Sequence, residues 1–180
     1  LVELERRRLE QMSDERLHDH ARIAMKQADA DTAVAALTML HARLTDPTQR
    51  DTVAYELAIA RRQQGTPESL QASAMLLDGL VATHGLGSKL GIGAAQQLVH
   101  THDERGDLAA AMRSADAIVR APGVTAQQRF QARWSLAIAR ARHGDRANAH
   151  AEFTALQQEL AGQPDFAKLL ADVERRLRDW

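Results

Sequence analysis

The chain has 180 residues, with 23 basic and 24 acidic side chains, a net charge of −1 and no cysteine. That balance gives no reason to expect a general electrostatic grip on nucleic acid, which requires a concentrated positive surface, and the absent thiols exclude disulfides and thiolate chemistry. Hydrophobic residues at 44% suit a folded core, while aromatic residues at only 3%, beside abundant alanine, favour closely packed helices over sheets.

Residues 1–12 (LVELERRRLEQM) read as a charged amphipathic helix with Val2, Leu9 and Met12 on one stripe. Three roles stay open for it: a cap over the first repeat, an oligomerisation helix, or a linker whose Arg6-Arg7-Arg8 cluster follows an upstream membrane segment. The chain begins at Leu1 rather than Met, so it is expected to be a piece of a longer protein. It contains no apolar run near the roughly 20 residues that span a bilayer, and no secretory leader.

Residues 13–163 carry a repeat. Turn segments at Ala30-Asp31, Gly65-Thr66, Gly106-Asp107 and Gly144-Asp145 stand between helix-like stretches at steps of 35, 41 and 38 residues. Around Ala30 the apparent packing positions are Ala35, Met39 and Ala42, with Arg22 and Ile23 in the preceding helix. Around Gly65, Leu57 and Ala58 precede the turn and Pro67 suits the first turn of the next helix. That helix is expected to slip by two residues, so that Ala72 and Leu76 pack. Around Gly106 the set is Leu98, Val99, Ala111, Ala115 and Ile118; around Gly144 it is Leu136, Ala137, Ala149, Phe153 and Leu156. The last three fall at i, i+4 and i+7 on one helical face.

Between the second and third units, the glycine-rich run 84–93 lacks the GxxxxGK[ST] spacing of a phosphate loop. It reads as a helix ending at Gly85 or Gly87, followed by Ser88 as the next N-cap. Residues 164–180 put Phe166, Leu169, Leu170, Val173, Leu177 and Trp180 on one stripe, the pattern of a terminal helix covering the end of an array and closing it.

The run SLAIARARHGDRANAHAEFTAL at residues 135–156 resembles the tetratricopeptide repeat, with its large-small pair, Gly-Asp turn, and alanine, aromatic and apolar residues in the second helix. The resemblance covers roughly Asp14 to Leu160. It implies an all-α, right-handed superhelix of about four helix pairs with terminal capping helices, acting as a scaffold or adaptor of bacterial style. It also implies that first helices line a concave groove holding a protein or peptide. The groove residues singled out are Tyr55 and Arg62, then Gln96, His100 and Glu104, then Trp134 and Arg142. Thr52, Glu56, Gly93, Gln97, Gln131 and Ser135 occupy the places where a carboxylate clamp would stand, and they do not form one.

Catalysis has no named residues behind it. No nucleophile elbow, HExxH motif or carboxylate pair occurs. Of eight histidines, His18/His20 and His100/His102 are two apart and diverge on a helix; His100 with Asp103 and Glu104 is better spaced but needs ligands from elsewhere. The histidines read as solvated, and neither metal nor cofactor is expected. The expected compartment is the cytoplasm, with the periplasm or the soluble part of a membrane-anchored protein as alternatives. Rival roles are an accessory domain of a larger membrane-linked enzyme or assembly machine, a homodimer-forming module, and a small-ligand sensor.

Overall fold

The computed structural model describes residues 7–179, which places the expectations for Val2, Arg6 and Trp180 outside the described residues. Among these residues every regular element is helical. The α-helices are α1 (Asp14–Lys26), α2 (Ala30–Arg43), α3 (Pro47–Gln64), α4 (Pro67–His84), α5 (Lys89–Glu104), α6 (Leu108–Arg120), α7 (Ala126–Arg142), α8 (Arg146–Leu160) and α9 (Ala167–Arg178). A 3-10 turn, Pro164–Phe166, leads into α9, and residues 7–10 are also helical. None of the described helices is long and apolar enough to cross a membrane.

Two compact units divide at Gly85/Leu86. In the first, α1 packs on α2, α2 on α3 and α3 on α4; in the second, α5 packs on α6, α6 on α7, α7 on α8 and α8 on α9. The boundary falls in the glycine-rich run. There Gly85 ends α4 at φ +66°, and Ser88 caps α5 by accepting the Gly91 N–H at 2.9 Å.

Helix starts follow the local chemistry. Ser13, Asp29, Asp46, Thr66, Ser88, Asp107 and Thr125 each accept an N–H from three residues on. Each such cap is worth about 1 kcal/mol. Thr125 and Gln128 form a reciprocal capping box, and Pro47 and Pro67 open their helices, where a missing N–H loses nothing.

Three helix-to-helix turns are built alike. The N–H groups of Asp29, Asp107 and Asp145 reach back five residues to the carbonyls of Ala24, His102 and Arg140, each at 2.9 Å. The residue before each aspartate is left-handed: Ala28 (φ +57°), Gly106 (+77°) and Gly144 (+85°). This corrects the expected first turn. It lies at Ala28-Asp29, two residues before Ala30-Asp31, and steps between left-handed residues become 37, 41 and 38 on passing through Gly65 (+69°).

With the turns aligned, a single buried register runs through all four pairs. Five residues past the turn stand Ala33, Leu70, Ala111 and Ala149; nine past, Leu37, Ala74, Ala115 and Phe153; twelve past, Leu40, Leu77, Ile118 and Leu156. All are buried. Ala21, Ala58, Val99 and Ala137, seven before the turn, are buried as well. Ala35 and Ala42 are exposed, and Leu70, Ala74 and Leu77 take the buried places expected for Ala72 and Leu76, so the second pair has no slip. Ser73 sits in this interior because its hydroxyl donates to the Ala58 carbonyl at 2.8 Å, which satisfies an otherwise costly buried polar group.

At the amino end, Leu9 is buried in the core with Leu17, Leu37 and Leu57, and Met12 packs beside it. Helical structure there stops before Ser13, and Arg43 fixes the connection by donating to the Met12 and Glu10 carbonyls at 2.7 and 2.8 Å. At the other end, Val173 of α9 is buried, with Phe166, Leu169, Leu170 and Leu177 packed on the core of α7 and α8. The apolar stripe of residues 166–177 therefore faces that core.

Candidate functional site: a cleft between two first helices

Helices α5 and α7 meet along one face of each, running in the same direction. Gln96 Nε2 donates to Gln131 Oε1 at 3.2 Å, and one turn on, Ser135 Oγ lies 3.4 Å from His100 Nε2. A further turn on, the Asp103 carboxylate accepts from Arg142 at 2.6 Å and meets His143 Nε2 at 3.1 Å. Residues 96, 100 and 103 are spaced i, i+4, i+7, the geometry of a single helical stripe.

Asp103 is 7% exposed. An uncompensated carboxylate there would carry a large desolvation penalty, and the two partners from the end of α7 offset it. Arg133, on the other side of α7, bonds Glu159 at 2.6 Å and also Glu152, both on α8. Burial works against its charge, but these hydrogen bonds prevail and raise its pKa above the ordinary value.

Between the α5 and α7 backbones the surface opens into a cleft of about 280 Å³. Gln96, Gln97, His100, Gln131 and Ser135 give it a neutral polar wall, and Val99, Ala132 and Trp134 give it an apolar one. Trp134 is held edge-on against Phe153, with ring centroids 5.1 Å apart and an interplanar angle of 62°. Its side chain is half-buried and also lines the cleft. The Gln97 side-chain oxygen is buried and has no hydrogen-bond partner within the protein.

The candidate residues read from the sequence divide accordingly. Gln96, His100 and Trp134 come together in this cleft. Glu104, at the exposed end of α5, and Arg142, engaged with Asp103, lie outside its lining. Tyr55 and Arg62 are half-buried on α3, in the first unit. That unit has its own cleft of about 340 Å³ between α1 and α3, floored by Leu40, Leu44 and Val53 and rimmed by Asp14, Glu15 and His18, which Tyr55 does not line.

The histidines are not uniformly solvated, a correction to the sequence reading. His18 bonds Glu56 at 2.6 Å, His84 bonds Asp51 at 2.8 Å, and His102 is 8% exposed with Arg105 against its ring. These pairings join residues 3 to 38 apart in sequence, so helix periodicity alone gives no sign of most of them. Among the described residues no group of three or more histidines and carboxylates is arranged to hold a metal ion.

No protein-family model, curated protein or solved structure matches this chain.

Proposed function

We propose that the chain is a tetratricopeptide-like superhelix of four helix pairs that works as a non-catalytic scaffold, holding a protein partner as an extended peptide against its first helices. The observation that carries this reading is the single buried register through four pairs, which leaves the equivalent faces of successive first helices to outside contacts. The α5–α7 cleft is the best-formed contact region. Trp134 offers an amphipathic anchor, a residue type favoured where partners bind. Gln96 and Gln131 offer amide groups at the cleft edge that an extended backbone could meet. With no lysine or arginine among its described lining residues, this cleft suits a neutral, apolar peptide segment rather than an acidic terminus.

A photo-crosslinking side chain at the exposed Gln131, compared with one at the exposed Asp116 on α6, tests the proposal in cell extract. Adducts to one partner from position 131 and none from 116 support the scaffold reading. Equal labelling from both positions sinks it, and adducts confined to a second copy of the chain favour self-association instead.

A further inference from the structure

A second site of different chemistry lies near the carboxyl end. The cleft where α7 turns into α8 and meets α9 has a volume of about 470 Å³ and is lined by Ala141, Arg142, Gly144, Arg146, Arg176 and Asp179. Three arginines from three successive helices thus line one opening, with one carboxylate among the described lining residues. Guanidinium planes bind oxyanions through paired, charge-assisted hydrogen bonds, and several converging on one space favour an anion there.

The arginines are not equivalent. Arg142 is steadied from outside the cleft, because Asp103 holds one of its terminal nitrogens at 2.6 Å and leaves its other donors for a ligand. Arg176 has its Nε buried with no hydrogen-bond partner within the protein. Gly144 leaves open space rather than a donor: nothing lies within 4 Å of where a Cβ would stand, and its N–H donates to the Ala141 carbonyl at 3.3 Å.

We infer that this cleft is a phosphate site, taking the terminal phosphoryl group of a phosphate monoester. Three arginines suit the three terminal oxygens of a phosphoryl group better than the two oxygens of a carboxylate. The inference is independent of the peptide cleft between α5 and α7.

Calorimetric titration of the full chain tests it with three probes: inorganic phosphate, a phosphoserine peptide, and the same peptide unphosphorylated. Inorganic phosphate should bind saturably. Arg146→Gln and Arg176→Gln should each weaken that binding by about tenfold or more, and Asp179→Asn should strengthen it by removing a like charge. A phosphopeptide that binds tighter than free phosphate assigns the group to a phosphorylated protein, and equal affinities assign it to a small phosphate compound. Absence of saturable binding, undiminished binding in the glutamine variants, or equal binding of the unphosphorylated peptide overturns the assignment. Should Arg176→Gln lose helix content by circular dichroism, the exposed Arg146 alone decides.

Discussion

In the first unit the core around Leu9, Leu17, Leu37, Leu40 and Leu57 is wholly aliphatic, whereas the last pair of the second unit is centred on aromatic rings. Phe153 sits edge-on to Trp134, and Phe130 meets Phe166 with centroids 5.1 Å apart. Yet both cores use the same register, since Leu37 and Phe153 stand nine residues past their turns. The difference teaches that the turn fixes which positions are buried, while residue volume is adjusted locally. Alanine takes the same buried place in the two middle pairs, at Ala74 and Ala115.

The most severe way to break this comparison is truncation at the shared position. Phe153→Ala should cost about 3–5 kcal/mol, and Leu37→Ala about 2–4 kcal/mol. Urea denaturation combined with segment-resolved hydrogen exchange should place each loss in its own unit. If Leu37→Ala proves the costlier, the aromatic centre is less tightly packed than its geometry indicates.

A smaller effect is expected where α5 and α7 join. Asp103→Ala should destabilise by about 1–2 kcal/mol, kept modest because Arg142 is largely exposed and can return to water. In the first unit the corresponding link is His18 with Glu56, whose carboxylate is more exposed than that of Asp103, and His18→Ala should cost under about 1 kcal/mol. Thermal melts of the two variants would compare the links directly.

The turns supply a change of opposite sign. Gly106→Ala meets no steric obstacle but must adopt φ +77°, so about 1 kcal/mol of stability should be lost. Ala28→Gly relieves the same strain at φ +57° and should stabilise by up to about 1 kcal/mol. Equal responses at the two positions would mean that these turns are not equivalent after all.

Acid should produce the mildest effect. Hydrogen bonds from Thr32 hold the Asp29 carboxyl below its ordinary value, and the Ala110 N–H does the same for Asp107. Because the folded pKa values are lowered, this stabilisation is complete above the ordinary carboxylate range and disappears as pH falls through the folded values. Between roughly pH 5 and pH 2 the slope of stability against pH should shrink in Asp29→Asn and Asp107→Asn, where the asparagine still caps but does not titrate. An unchanged slope would remove the caps from the acid response.

Much of this fold was legible in the chain. Gly106-Asp107 and Gly144-Asp145 mark turns because glycine tolerates the left-handed residue and aspartate caps the helix that follows. Ser88 and Thr66-Pro67 announce helix starts in the same way. The first turn was hidden because an alanine occupies the left-handed place, and Asp31 offered a decoy cap two residues after Asp29. In the second pair, the slip expected from Ala72 and Leu76 is absent, since Leu70, Ala74 and Leu77 are the buried residues. Counting back from the turns brought Gln96, His100 and Trp134 to one cleft. The pairing of Arg142 with Asp103 could not be counted out, since it depends on how far α7 is offset along α5.

The turns that define the buried register also bear on speed. Apart from α5 with α7, the extensive contacts of each helix are with its immediate neighbours along the chain. Each turn therefore needs only a short loop to close before its two helices can stabilise one another, and low contact order of this kind goes with folding in microseconds to milliseconds. Hairpins should form locally and then dock within their units, with the outermost helices the first to fray when denaturant is added.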